Sequence, residues 1–89
     1  MTWKIEFDAG VEKDLKKLGH IAQKQILKYI KEKIIPSDNP RAFGKPLSGD
    51  LNGIWRYRVG DYRLLAKIED ELFIILVIHV GHRKDVYRK

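Results

Sequence analysis

The sequence predicts a small α+β domain in the order β-α-α-β-β-β, with an antiparallel sheet packed on a helical hairpin. Three patterns carry that prediction. Apolar residues recur at helical spacing from Val11 to Ile34, and the period falls to two between Ile54 and Ile68, around a Gly60-Asp61 break. A third segment, Leu72 to Val80, is apolar on both faces, rich in β-branched residues and too short for a helix, so it reads as the central strand. Residues 1–89 are expected to form one domain, because a chain of this length supports a single core with little margin.

The first strand covers residues 3–7, with Trp3, Ile5 and Phe7 on one side and Lys4 and Glu6 on the other. Asp8 is placed to cap a helix whose buried face is Val11, Leu15 and Leu18 and whose stop is Gly19. A second helix is expected from His20 to Ile34, burying Ala22, Ile26, Tyr29, Ile30 and Ile34, wetting Lys24, Lys28 and Lys31, and ending at Pro36. The short link between them makes the two helices an antiparallel hairpin. From Pro36 to Gly53, Pro, Gly, Asn, Ser and Asp dominate. This stretch reads as a long crossing to the sheet with Phe43 and Leu47 as anchors. Glu69-Asp70-Glu71 forms the turn into the last strand.

With Gly60 and Asp61 as a two-residue loop, Val59 pairs with Tyr62, Tyr57 with Leu64, and Arg58 falls opposite Arg63. Like charges directly opposite one another destabilise a sheet. Such a pair sits either on a solvated face or in an anion site, and phosphate is the natural anion because the planar guanidinium matches its oxygens. The last strand runs antiparallel to the one before it and returns to the level of the turn, which brings Arg83 beside Arg58 and Arg63. Nothing about folding requires three arginines from three strands to converge.

The total of 18 Lys and Arg against 12 Asp and Glu, a formal charge of +6, suits a nucleic-acid partner. Lys-bearing helix faces serve solvation, whereas every arginine lies at or after Arg41, clear of the helices. The absence of cysteine excludes a disulfide framework and a thiolate metal site, and no metal or cofactor is expected. The longest apolar run, Leu72 to Ile78, is far short of the ~18 residues of a membrane span. The amino terminus alternates like a strand and lacks the apolar core of a signal peptide, so a soluble cytoplasmic chain is expected.

The order of elements, Pro46-Leu47-Ser48-Gly49 before the second strand, Tyr62-Arg63-Leu64, and Gly81-His82-Arg83 followed by Val86-Tyr87 together resemble the RelE branch of the RelE/ParE toxin superfamily. The resemblance spans essentially the whole chain. It implies a RelE/ParE-like fold and a type II toxin that enters the ribosomal A site, cleaves messenger RNA by attack of the ribose 2′-hydroxyl and inhibits translation. The implied partners are a RelB-type antitoxin that wraps the toxin, the ribosome with its message, and operator DNA. The DNA is reached only through the toxin–antitoxin complex, which represses its own operon, and no membrane is involved. By the same resemblance Arg63 and Arg83 would bind and neutralise the scissile phosphate, and Tyr87 would stack on or orient the substrate nucleotide. Arg56 and Arg58 stand where the best-studied members carry a pair of lysines used in charge stabilisation and proton transfer.

That replacement has a chemical consequence. Arginine stabilises a developing phosphorane charge well, but with a pKa above ~12 it is a poor proton shuttle. Imidazoles titrate near neutrality. His82, beside Arg83 at the strand end, is therefore the candidate acid or base, while His79 reads as a core histidine and His20 as a helix-start residue. Lys45, Lys84 and Arg88 extend the basic surface as RNA contacts. Two other readings share the fold. One is a ParE-like inhibitor of DNA gyrase, against which the arginines and Tyr87 count; the other is a non-catalytic ribosome- or RNA-binding module, which the missing lysine pair keeps open.

Overall fold

The computed structural model describes residues 3–85, so the expectations for Tyr87 and Arg88 lie outside the described residues. Within that range the predicted order is present: β1 (Lys4–Phe7), α1 (Val11–Leu18), α2 (His20–Tyr29), β2 (Gly44–Pro46), β3 (Trp55–Val59), β4 (Tyr62–Glu69) and β5 (Ile74–His82). The short β2 is an addition inside the long crossing. Among the described residues the strands form one sheet in the order β1-β5-β4-β3-β2.

The sheet departs from an all-antiparallel meander at one edge. β1 runs parallel to β5, a pairing that the helical hairpin permits because it carries the chain across one face before the meander begins. β4, rather than β5, is central: β1 pairs only with Ile74–Val77, so the far end of β5 has no strand beyond it. Leu72 lies outside the strand, 65% exposed, in a 3-10 turn over Asp70–Leu72. Phe73 then takes a left-handed conformation (φ 52°), held by edge-on packing of its ring against Trp3 at 5.2 Å.

The helix ends also differ from expectation. Asp8 does not cap α1 with its side chain, because its N–H still extends the β1–β5 ladder to Val77 O (2.8 Å). The helix starts after Gly10, with Val11 N–H accepted by the Asp8 carbonyl at 3.0 Å. α2 continues to Ile34 as expected, but its last turn, Ile30–Ile34, widens to π geometry with Ile30 and Ile34 still buried. Among the described residues no helix is long and apolar enough to cross a membrane.

The core closes between the helices and one face of the sheet, around Val11, Ile26, Ile34, Tyr57, Leu64, Ile75 and Val77. Tyr57 is fully buried and donates its hydroxyl to Pro40 O at 2.8 Å. Pro40 is therefore the anchor of the crossing. Phe43 is not, being 46% exposed; the Asn39 side chain accepts the Arg41 N–H and starts a 3-10 turn that tucks Pro40 inward and turns Phe43 out. Leu47 is half-buried. Arg41 makes a bidentate pair with Asp70 (2.8 and 2.6 Å) and stacks on Trp55, so this arginine fastens the crossing to the β4–β5 turn.

Candidate nucleic-acid interface

The hairpin that carries the arginines closes as its sequence dictates. Gly60 (φ 59°) supplies the backbone conformation that a two-residue turn needs. The register is Val59 with Tyr62, Arg58 with Arg63 and Tyr57 with Leu64. Residues paired across strands share a face. The row of Tyr57, Leu64 and Val80 is buried against the helices. The opposite face therefore takes two neighbouring rows: Arg58, Arg63 and Gly81; and Lys45, Arg56, Leu65 and His79. Lys67, two residues beyond Leu65, extends the same face and is exposed.

Each cation on this face is held differently. Arg63 is half-buried, and its Nη1 donates to Gly60 O (2.9 Å) and Tyr62 O (2.8 Å), which fixes the guanidinium against the turn. Arg58 and Lys45 are exposed. Arg56 is half-buried and its Nε is buried without a hydrogen-bond partner, an unusual cost for a native donor. Arg83 continues the β4–β5 ladder past the Tyr62–His82 pair by donating its N–H to Asp61 O at 2.8 Å. Its side chain lies 3.9 Å from the Asp61 carboxylate, a wide and exposed ion pair that a phosphate could displace. Lys84 follows in an exposed turn. The register thus brings Arg56, Arg58, Arg63 and Lys45 onto one face, with Arg83 at the adjoining turn.

The two histidines of β5 are held by different partners. His82 is half-buried and edge-on to Tyr62, and its Nδ1 accepts the Lys84 N–H at 3.2 Å. That bond leaves the neutral ring's proton on Nε2 and occupies the lone pair a base would use. His79 is no core histidine. Its Nδ1 lies 2.8 Å from Asp14 Oδ2, and both side chains are only about four-fifths buried, at 18% and 21% exposure. The carboxylate holds the proton on Nδ1 and leaves the Nε2 lone pair available. His79, Asp14 and His82 line one cavity of about 480 Å³ at the open end of β5.

The sequence alone did not point to Asp14. The pair forms because β1 ends at Phe7, so β5 beyond Val77 lacks a strand neighbour and α1 lies alongside it. The Asp14 carboxylate also accepts the Val80 N–H (3.2 Å), a backbone donor that this open edge would otherwise leave to solvent.

Residues 5–87 match the family described as the ParE toxin of type II toxin-antitoxin systems, parDE. This chain belongs to the RelE/ParE toxin superfamily. It falls on the RelE branch: it is 33% identical over 89 residues to Toxin RelG of Mycobacterium tuberculosis, covering all of both chains. It is 31% identical over 86 residues to the mRNA interferase toxin RelE of Escherichia coli, covering 94% of this chain and 86% of that one. Among solved structures, the toxin–antitoxin complex RelBE2 of Mycobacterium tuberculosis superposes with a TM-score of 0.84 at 29% identity, covering 93% of this chain and 100% of the other. All the described candidate residues of this toxin, from Asp14 to Lys84, lie within the matched range.

Proposed function

We propose that this toxin is a ribosome-dependent endoribonuclease that cleaves messenger RNA in the A site by 2′-hydroxyl attack and so halts translation in the cytoplasm. The observation that carries this reading is the Arg58–Arg63 row with Arg83 at the adjoining turn. A like-charge cluster of this kind costs stability on its own and becomes favourable when an anion lies between the guanidiniums. The mRNA interferase name of the Escherichia coli relative supports the chemistry, and the RelBE2 complex supports a RelB-type antitoxin as partner. The toxin–antitoxin complex, in this reading, is also what meets operator DNA.

Arg63 and Arg83 bracket the scissile phosphate. Arg63 is fixed by two turn carbonyls and needs no reorganisation when charge develops, the condition under which such donors act most strongly. Arg56 and Arg58 neutralise the phosphorane, and Lys45, Lys84 and Arg88 hold flanking phosphates. Tyr87 stacks on the substrate base, a contact worth ~1–3 kcal/mol. The Nε2 lone pair of His79, oriented by Asp14, takes the 2′-hydroxyl proton. The 2′-oxygen bonds to phosphorus as the bond from phosphorus to the 5′-oxygen breaks, and the departing 5′-oxygen takes a proton from water. His82 donates a hydrogen bond from Nε2 to an oxygen of the reacting phosphate.

Primer extension on a reporter message in a translation extract tests this. Wild-type toxin should cut within ribosome-bound codons of translated message, while Arg63→Ala and Arg83→Ala should fold and leave the message intact. Folded wild-type protein that leaves translation uncut overturns the enzyme and directs attention to gyrase inhibition or ribosome binding without turnover.

A further inference from the structure

β1 is the outermost strand on its side of the sheet. It spends its even-numbered donors on β5, with Lys4 N–H to Phe73 O and Asp8 N–H to Val77 O, both 2.8 Å. Successive backbone groups along a strand point to opposite edges, so Trp3, Ile5 and Phe7 aim theirs outward, as edge strands do. The stretch Trp3-Lys4-Ile5-Glu6-Phe7 is symmetric about Ile5: apolar, cation, apolar, anion, apolar. Lys4 and Glu6 are both exposed, on the face opposite the helices.

We propose that the outer edge of β1 pairs antiparallel with β1 of a second copy of this chain, about a two-fold axis through Ile5. In that register Ile5 faces its own copy, Trp3 faces Phe7, and Lys4 faces Glu6. The outward groups of Trp3, Ile5 and Phe7 then form the hydrogen-bonded pairs. Lys4 and Glu6 fall at the non-hydrogen-bonded positions, where Cα atoms approach to ~4.5 Å and side chains lie closest.

The charges also select the register. Sliding the pair by one hydrogen-bonding step centres it on Lys4 or on Glu6, which sets lysine against lysine or glutamate against glutamate. The Ile5-centred register alone avoids like charges among these. Phe7, 45% exposed beside a groove that includes Val11 and Leu15, lies opposite the partner's Trp3 in this register, although the Trp3 ring itself stays in its own core at 6% exposure. The two-fold axis stands perpendicular to the sheet, so both copies present their arginine rows on the same side of one continuous sheet. This surface is independent of whether the toxin cuts RNA.

Sedimentation equilibrium of the full chain tests the proposal, with melting curves to confirm that each variant folds. The wild type should associate reversibly into dimers. Lys4→Glu alone and Glu6→Lys alone should each weaken association, by ~10-fold from two reversed cross-strand pairs. An equimolar mixture of the two variants sets opposite charges together at both positions and should restore association as a heterodimer. A monomer at all concentrations overturns the proposal, as does a dimer indifferent to both reversals or a mixture that fails to recover.

Discussion

Arg58→Glu should make the toxin more stable and less active in a single step. Arg58 is exposed and stands directly opposite Arg63 across the hairpin, so the native pair is like-charged. A directly opposed like-charge pair costs ~0.2–1 kcal/mol and an opposite-charge pair contributes a similar amount, so the reversal is worth about 1 kcal/mol. For a domain of this size that corresponds to a rise of ~4–8 °C in Tm. Arg58 is the side to change because Arg63 also holds Gly60 O and Tyr62 O, and replacing it would loosen the turn as well. Urea and thermal unfolding at low salt measure the gain. Near 1 M salt the Debye length falls to ~3 Å and the gain should shrink. Cleavage in the translation extract should drop by ~10²–10³, the usual loss for one donor to a developing anion. A variant less stable than wild type at low salt, or a gain insensitive to salt, refutes the electrostatic account of the hairpin. A stabilised variant with full activity refutes the placement of Arg58 at the phosphate.

Tyr57→Phe should cost about 1 kcal/mol in urea titrations, because it removes the buried hydroxyl's bond to the Pro40 carbonyl; a loss below about 0.5 kcal/mol would mean that this bond contributes little to the anchoring of the crossing. Burial pushes the Tyr57 phenol up to about 12. The unfolded chain releases that proton from about pH 10 while the folded chain retains it, so wild type should lose stability progressively from pH 10 to 12, with a slope that Tyr57→Phe reduces. Asp14→Asn keeps an acceptor for the Val80 N–H but removes the charge that orients His79. Cleavage at neutral pH should fall by ~10²–10⁴ with little change in Tm, and undiminished cleavage would assign proton transfer to other groups.

Local rules decided what could be read from the chain. The Arg58–Arg63 pairing follows from a two-residue loop and strict alternation, and both are written between Ile54 and Ile68. The buried stripe from Ala22 to Ile34 follows from spacing alone, though the widening of its last turn does not. Choices between distant segments were not legible. Whether β1 joins β5 parallel, and hence whether β4 or β5 is central, depends on competition among edges that look alike in sequence. Phe43 shows the same limit. An aromatic in a polar crossing reads as an anchor, but the turn geometry around Asn39 gave that place to Pro40. Asp14 and His79, 65 positions apart, meet only because β1 stops short of the end of β5.

The short reach of β1 thus has a consequence for the far end of β5. Beyond Phe7 it leaves the β5 edge to α1, whose Asp14 accepts one backbone donor and one imidazole there. On the opposite edge of β5, the Asp61 carbonyl takes the Arg83 N–H. The strand end that delivers Arg83 is therefore pinned from both sides, by the hairpin turn and by the helix. Of these pins, the hydrogen bond to the Asp61 carbonyl is a backbone contact that any sequence could make, whereas the bonds to Val80 and His79 need an acceptor side chain at position 14, and only a carboxylate there also places a charge beside the imidazole. This asymmetry makes Asp14 the residue at which the helical layer and the arginine face are coupled, and it separates two roles on one scaffold. The sheet holds charge in place, and the helix edge holds the His79 imidazole by its Nδ1.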